Sequence, residues 1–432
     1  MAWFKKKQQI ENKQVEPTIN KKSSDYVGYV FNSSSGTSYI DPLYAYWLYE
    51  NSDCVGNAVS RICKSFQSIK PVLRNKMTGE FIINENEHPA LFLLNNPGYD
   101  MNSDRLKFEL MKSYLLAGET YPILVGNVNY TPIGLSVSGA NKTNLAEDSD
   151  GSVSKIYITR GSYNDLYNKE FFNKNNIYVT NDQLKETRQI INERKSLGVR
   201  GVSPLQRIYY QTLTKYYGNI HNSGLLKNGA RPGGLWSVDE PMDQDNFEAF
   251  KNEVRNKFTG ASNSGRDIVG NGSVKYQNLI LNPRDMDFVN LMRESSQDIY
   301  TQYNIPLPLV ATSTMTMSNY QNAIESYYDL AVIPEARFIY NQVGRFLLGR
   351  YKDGNNYELV IDERDITALK DRMINRAKTM SQVYAFSDNE IRSATGYEAR
   401  NDGDQVYKPA NLISMAIDDY TDDNINLEVD DE

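Results

Sequence analysis

From Arg194 to Val238 the chain carries no aspartate or glutamate, yet Arg194, Lys195, Arg200, Arg207, Lys215, Lys227 and Arg231 all fall inside this interval. Within it, Ser203-Pro204 joins a capping hydroxyl to a first-turn proline, the local chemistry that starts a helix. Leu205, Ile208, Tyr209, Leu213, Tyr216 and Ile220 then recur along one helical stripe. The glycine-rich run Gly224 to Gly234 is expected to break the helix. A long helix with cations but no local acids must find its counter-charges elsewhere. Arg207, Lys215, Lys227 and Arg231 are therefore candidates for contact with DNA phosphate or with acids of a neighbouring subunit, the second being commoner for a charge run.

At 432 residues the chain exceeds one compact core and suggests two or more substructures. A net charge of -7 argues against a general nucleic-acid coating protein. Cys54 and Cys63 offer no disulfide framework. Nine apart on a predicted helix, they fall on roughly opposite faces and read as small buried hydrophobes in a reducing cytosol. No apolar run reaches the ~18 residues that span a membrane. The opening Met1-Ala-Trp-Phe-Lys-Lys-Lys7 lacks the apolar stretch of a signal peptide. The 31 tyrosines suit large, wet interfaces, where the ring packs and the hydroxyl stays hydrated.

Residues 1–40 are polar and are expected to form a disordered arm. Leu43 to Ser68 reads as one helix, and Pro71 to Ile83 as a hairpin around Met77-Thr78-Gly79. His88-Pro89 opens a short helix. Ser103 is expected to cap a longer one that Gly118 ends, and Tyr121–Val125 a strand. Residues 139–152 read as a polar loop, and Gln183–Leu197 as a helix stopped by Gly198. A helix Asp245–Phe258, a glycine-rich turn over 260–265 and strand-like Asp267–Val269 and Val274–Leu281 follow. Asn282-Pro283 starts a helix with Phe288, Leu291, Met292, Ile299 and Tyr303 on one side, and Ile305-Pro-Leu-Pro308 ends it. The polar run from Ala311 leads to Ser318-Asn-Tyr-Gln321, read as a capping box for a helix reaching Leu348 and bent at Pro334. A strand Tyr357–Ile361 precedes two further helices, the second opened by a capping box at Ser387 and closed by Gly396. Asp418 to Glu432 is mostly acidic and solvated.

The order of these pieces over about residues 41–413 resembles the portal proteins of tailed double-stranded DNA bacteriophages, in their HK-ninety-seven-like branch. The motifs that carry the resemblance begin with Ser52 to Ile62, Ile69-Lys-Pro-Val-Leu73, Glu87 to Pro97 and Leu116-Ala-Gly-Glu-Thr-Tyr-Pro122. Gly201-Val-Ser-Pro-Leu205 and Asn228-Gly-Ala-Arg-Pro-Gly-Gly-Leu235 are the strongest of them. Tyr303 to Leu309, Ser318 to Ile324, Ile333-Pro334, Asp388 to Arg392, Gly396-Tyr397, Gly403-Asp404 and Pro409 to Leu412 follow in order. Residues 126–200 match poorly, and Val310-Ala311 stands where the family often has Leu-Gly.

The resemblance implies an α+β portal fold, with a mainly helical stem, tunnel and crown and a mixed α/β wing and clip. It places the wing at 41–202, a stem helix at 203–232, the clip at 233–283 and a second stem helix at 284–310. A tunnel loop, tunnel helix and the rest of the wing take 311–365, the crown 366–415, and the acidic tail 416–432. It implies a non-catalytic homo-oligomeric ring, typically of twelve subunits, at one capsid vertex of the virion, assembled in the host bacterial cytoplasm. Double-stranded DNA would pass through the ring. Terminase, the major capsid and scaffolding proteins and a head–tail adaptor would be its partners, with no membrane and no cofactor. Thr312, Ser313, Thr314, Met315, Thr316, Met317 and Ser318 would face the channel, where small uncharged groups let phosphates slide. Met315 and Met317 are expected to approach its axis. An acidic protein fits such a wall, since it does not grip the backbone.

Other motifs carry less. Gly270-Asn-Gly-Ser-Val-Lys275 lacks the spacing and ending of a phosphate loop. His88 and His221 stand far apart with no ligand partners in sequence, so no metal site is expected. Asp362, Glu363 and Asp365 suit an ordinary turn better than a nuclease centre. A metal-dependent nuclease or other DNA-processing enzyme, and a head-completion adaptor, are the competing readings.

Overall fold

The structure is a computed structural model that describes residues 40–98, 101–126, 132–148, 152–159, 169–172, 177–179, 184–194, 198–227, 234–238, 243–258, 274–278, 288–310, 316–383, 385–397 and 399–406. The glycine exit with Arg231, the turn over 260–265, Asp267–Val269, most of the polar loop before Thr316, the N-terminal arm and the acidic tail lie outside them. The chain divides into two compact units, Met1–Ile361 and Asp362–Glu432.

The first unit opens with α1 (Pro42–Asn51) and α2 (Asp53–Gln67). The single helix expected over Leu43–Ser68 is thus two. Ser52 takes an extended conformation, φ -111°, ψ 118°, and turns the chain back so that the helices pack together. The approach is close: a Cβ on Gly56 would lie 2.9 Å from the Tyr49 carbonyl oxygen. Cys54 and Cys63 are both buried in α2, as free thiols.

Strands β1 (Pro71–Asn75) and β2 (Phe81–Ile82) form the expected hairpin, with Gly79 at φ 76° in its turn. Helix α3 (Pro89–Asn95) starts at His88 as read. Helix α4 (Ser103–Ala117) is capped one residue earlier than expected, the Asn102 side chain accepting from the Arg105 amide at 2.8 Å. Gly118, at φ 73°, ends it and passes the chain straight into β3 (Glu119–Gly126).

Strands β4 (Pro132–Gly139), β5 (Thr143–Glu147), β6 (Val153–Thr159), β7 (Lys169–Phe172), β8 (Ile177–Val179), β9 (Leu184–Thr187) and β10 (Ile190–Ile191) follow. β3 is the hub: it pairs antiparallel with β4, β9 and β10, and β8 extends the sheet beyond β9. A second sheet runs β5-β6-β7. Two expectations are corrected here. The helix expected over Gln183–Leu197 is instead β9 and β10, because Leu184–Thr187 satisfy their main chain against Ile123–Gly126 and Thr187 Oγ1 donates to the Pro122 carbonyl at 3.0 Å. Pairing to an existing strand overrides a weak helical preference. The loop expected over 139–152 holds β5, joined to β4 by a short turn and by the Ser138–Thr143 hydroxyl pair at 3.2 Å.

Ser203 caps a 3-10 turn, Pro204–Ile208, that runs into α5 (Tyr209–Lys227). Gly224 does not break α5, since one glycine costs a helix only about 1 kcal/mol. Strands β11 (Gly234–Val238) and β12 (Val274–Asn278) pair around α6 (Gln244–Phe258). Helix α7 (Phe288–Gln302) follows, and Asn304 at φ 53° turns the chain out of it. Helix α8 (Met317–Tyr327), a π turn at Tyr328–Val332 and α9 (Ile333–Leu348) form the long helical run. In place of the bend expected at Pro334, a π turn ends two residues before the proline. A proline supplies no amide and crowds the carbonyl four residues back, so the ladder widens just before it. The cap also differs from expectation. Thr316, not Ser318, holds the helix start, accepting from the Asn319 amide at 3.3 Å.

β13 (Tyr357–Ile361) pairs antiparallel with all of β1 and completes the sheet β13-β1-β2. The interior is made where α2 meets α4 and α9 covers β13. Phe66 and Tyr340 pack ring on ring at 4.9 Å, and the Tyr340 hydroxyl donates to the Ile69 carbonyl at 3.1 Å. In the second unit, α10 (Lys370–Val383) precedes α11 (Asp388–Ala394), which has the full Ser387–Glu390 capping box. Gly396 closes α11 at φ 81°. Asp362 caps a 3-10 turn and pairs with Arg364 at 2.7 Å, so that acidic run is an ordinary turn.

Candidate channel-forming helices

Among the described residues, the helix packed most extensively along α5 is α7. Gly218 makes the contact close: a Cβ there would sit 3.0 Å from Met292 Sδ. Thr212 of α5 and Ser295 and Ile299 of α7 are buried. The far side of α5 is left open. Tyr210, Tyr217 and Ile220 are 66%, 52% and 49% exposed, and at 100° per residue they share a sector of about 80°. On α7, Val289 and Leu291 are exposed as well. The stripe expected on α5 is therefore split. Leu205, Ile208 and Tyr209 are buried at its start, while Ile220 points to solvent.

Aromatic rings fix where α5 begins. Trp47 stacks on Tyr44 at 5.4 Å and meets Tyr216 edge-on at 4.8 Å, and Tyr44 lies 6.2 Å from Tyr209. Burial, then the neighbouring tyrosines, push the Tyr44 hydroxyl well above its ordinary pKa. It stays neutral, as a ring wedged between rings must.

The acid-free interval finds counter-charges inside the same chain. Arg200 Nη1 donates to Glu119 Oε1 at 2.6 Å, and the fully buried Glu119 also accepts from the Gly201 amide and from Gln189 Nε2, both at 2.9 Å. Desolvation lowers the Arg200 pKa and the Glu119 charge raises it, with a net rise. Arg207 pairs with Glu193 at 2.8 Å on the surface, and Lys215 Nζ stands 3.9 Å from Asp53 Oδ2. Lys227 is exposed at the end of α5, where a cation offsets the negative pole of the helix. These acids were not legible as partners, because Asp53 and Glu119 lie far away in sequence. Tyr210 and Tyr217 did leave a signal, a seven-residue spacing of exposed-type rings.

Of the residues expected to face a channel, Thr312, Ser313, Thr314 and Met315 lie outside the described residues. Thr316, Met317 and Ser318 are exposed at the start of α8, Met317 by 77%. Met317 and Ser318 are therefore helical and not part of a loop. Where the start of α5, the end of α7 and the start of α9 converge there is a cavity of about 590 Å³, lined among others by Arg207, Asp298, Tyr303 and Glu335. Burial raises the Glu335 pKa, and its contact with Tyr114 partly offsets the rise. Among the described residues, no three of His, Cys, Asp and Glu gather as metal ligands would, and no helix is long and apolar enough to cross a membrane.

Comparisons with known proteins follow the same architecture. An "uncharacterized protein" of Rickettsia bellii (strain RML369-C) is 24% identical over 362 residues, covering 83% of this chain and 90% of that one. Among solved structures, a chain of the virion of a native gene transfer agent particle superposes with a TM-score of 0.60 at 19% identity, covering 86% of this chain and 98% of that one. A chain from the neck of a native gene transfer agent particle computed with C12 symmetry gives 0.59 at 19% identity, covering 83% and 94%. At these identities the likeness shows a shared fold. The phage portal protein family matches residues 55–396, which is most of the chain, and the protein belongs to that family.

Proposed function

We propose that twelve copies of this chain close into a ring at one vertex of a viral head, and that double-stranded DNA is packaged and ejected through its hole. The ring serves first as the docking platform for a terminase, which supplies the energy, and then for head–tail connector proteins. Its role is structural and not catalytic. The observation that carries this reading is the open face of α5. A long helix packed along one side, with an exposed row of Tyr210, Tyr217 and Ile220 on the other, is what a subunit presents when an identical neighbour must complete its packing. In a ring the contact is head-to-tail and closes by rotation. The neck computed with C12 symmetry, to which this chain is similar in fold, supports the subunit number.

Electron microscopy of the purified protein tests this directly. Rings with a central hole wide enough for a duplex are expected. The double variant Tyr217→Glu, Ile220→Glu is expected to remain folded, because both side chains are exposed in the single chain, and to abolish the rings. Monomers of the native protein at high concentration would sink the ring. Rings unaffected by the double variant would remove α5 from the interface.

A further inference from the structure

A second cavity, of about 840 Å³, lies in the first unit along β4 and beside α4. Met101, Val125, Ile133 and Val137 line its apolar side, and Ile133 is 54% exposed. Its rim carries Arg105, Lys112, Lys142 and Lys185 against Glu50 and Glu109. Lys112 is already used: it pairs with Glu109 at 2.7 Å and lies over the Tyr46 ring. Arg105 and Lys142 are exposed and make no ion pair among the described residues.

Among the described residues, three hydroxyls in this lining, those of Tyr46, Ser136 and Thr159, lack partners. Thr159 is 2% exposed, and neither its Oγ1 nor the Oγ of Ser136 makes a hydrogen bond. Buried hydroxyls are nearly always paired, so an unpaired one marks an unmet need. Among the described residues, β4 has one strand partner, β3, and the Leu135 amide on β4 donates to the Pro97 carbonyl at 2.7 Å.

We propose that this cavity binds an extended, acidic segment of a partner protein, in which apolar side chains alternate with carboxylates. The apolar side chains rest on Ile133 and Val137, which share a face of β4. The carboxylates meet Arg105 and Lys142, and polar main-chain groups of the segment meet the hydroxyls of Ser136 and Thr159. Strand-like recognition of this kind draws affinity from the main chain and selectivity from alternate side chains. The mixed rim disfavours a nucleic acid, whose unbroken row of phosphates would meet Glu50 and Glu109, and whose backbone has no use for an apolar floor. This reading does not depend on ring formation.

The test uses the full-length protein and fluorescence anisotropy with a labelled peptide of about eight residues, a typical strand length, alternating valine with glutamate. The control peptide carries lysine in place of glutamate. Binding of the glutamate peptide only is expected, weakened at least tenfold by Arg105→Glu with Lys142→Glu and by high salt. Thr159→Val removes a hydroxyl that has no partner in the free protein. It is expected to leave the unfolding temperature unchanged or raised, yet to weaken the peptide about two- to tenfold, the worth of one hydrogen bond. Equal binding of both peptides, or charge reversal without effect, overturns the proposal. A short DNA duplex that binds in place of the peptide and is lost on charge reversal overturns it in favour of nucleic acid.

Discussion

The interior built by α2, α4 and α9 and the pair α5–α7 use the same material, aromatic and aliphatic side chains at helical spacing, but leave it in different places. In the first, Phe66, Leu106, Leu110 and Tyr340 are withdrawn from water almost completely. Elements distant in sequence supply the partners, as when Tyr340 reaches the carbonyl of Ile69. In the second, only one side of each helix is covered, and Tyr210, Tyr217, Val289 and Leu291 stay in solvent. The first region reaches its final packing within one chain, whereas in the proposed ring the second is finished by another molecule. Stability and assembly should therefore respond to different residues.

The strongest way to break this contrast is Phe66→Ala. Phe66 is fully buried against Tyr340, and removing such a ring costs about 3–5 kcal/mol. Urea unfolding of the monomeric Tyr217→Glu, Ile220→Glu form, with and without Phe66→Ala, should show a loss of that size. A loss under about 1 kcal/mol, far below that range for a buried aromatic, would mean that the interior also waits for the neighbour, and the comparison would fail.

How much of this was legible in the sequence follows the same division. The capping signals at His88-Pro89, Ser203-Pro204 and Ser387 were local and were read correctly, because a helix start is decided by a few adjacent residues. The strands over Leu184–Ile191 were not, because what makes them strands is the edge of β3, some sixty residues earlier. Thr316 displaced Ser318 as the cap although both are good capping residues. Ser318 sits two residues later, inside the first turn of α8. Charge was half legible. The excess of cations over 194–238 was plain, but their acids, Asp53, Glu119 and Glu193, come from α2, β3 and the turn after β10. The open face of α5 could be drawn from spacing alone. Which side of the helix α7 would cover could not.

A smaller effect separates the interior from the surface by pH. His88 is 2% exposed, and its Nδ1 accepts from the Ala90 amide at 3.1 Å. Its ring meets Tyr351 and Tyr357 edge-on. Nδ1 must be unprotonated to cap α3, so the proton sits on Nε2, 3.6 Å from Asp353 Oδ1 and too far for a good hydrogen bond. Burial lowers its pKa from the ordinary 6.5, and the nearby Asp353 carboxylate only partly offsets this. The unfolded chain therefore binds a proton before the folded one does. Stability is fully present above about pH 6.5 and is lost as pH falls from there toward the lowered value. Glu335 has the opposite sign, since burial raises its carboxyl and the folded state takes up its proton first. The comparison that isolates His88 is thus His88→Asn, which keeps a capping acceptor and removes the titration. Unfolding curves at a series of pH values should show a shallower acid-side loss in the variant. An identical slope would mean that His88 does not titrate with folding.

The least change in stability is expected from Met317→Asp, which makes it the sharpest test of the open surfaces. Met317 is the first residue of α8 and 77% exposed, so its side chain contributes little to the single chain. An aspartate in a first turn is favourable, because it faces the positive pole of the helix and its free amides, by about 0.3–1 kcal/mol. The monomer should unfold at the same temperature or slightly higher, and rings should still form. If α8 starts at the wall of a DNA channel, a ring carrying one new negative charge per subunit repels phosphate at short range. Packaging or retention of DNA in particles should then fall, and low salt should deepen the defect because screening is weaker there. Normal packaging with intact rings would remove Met317 from the wall. Loss of rings would instead make the start of α8 part of the subunit interface, extending to this helix the dependence on a neighbour proposed for α5.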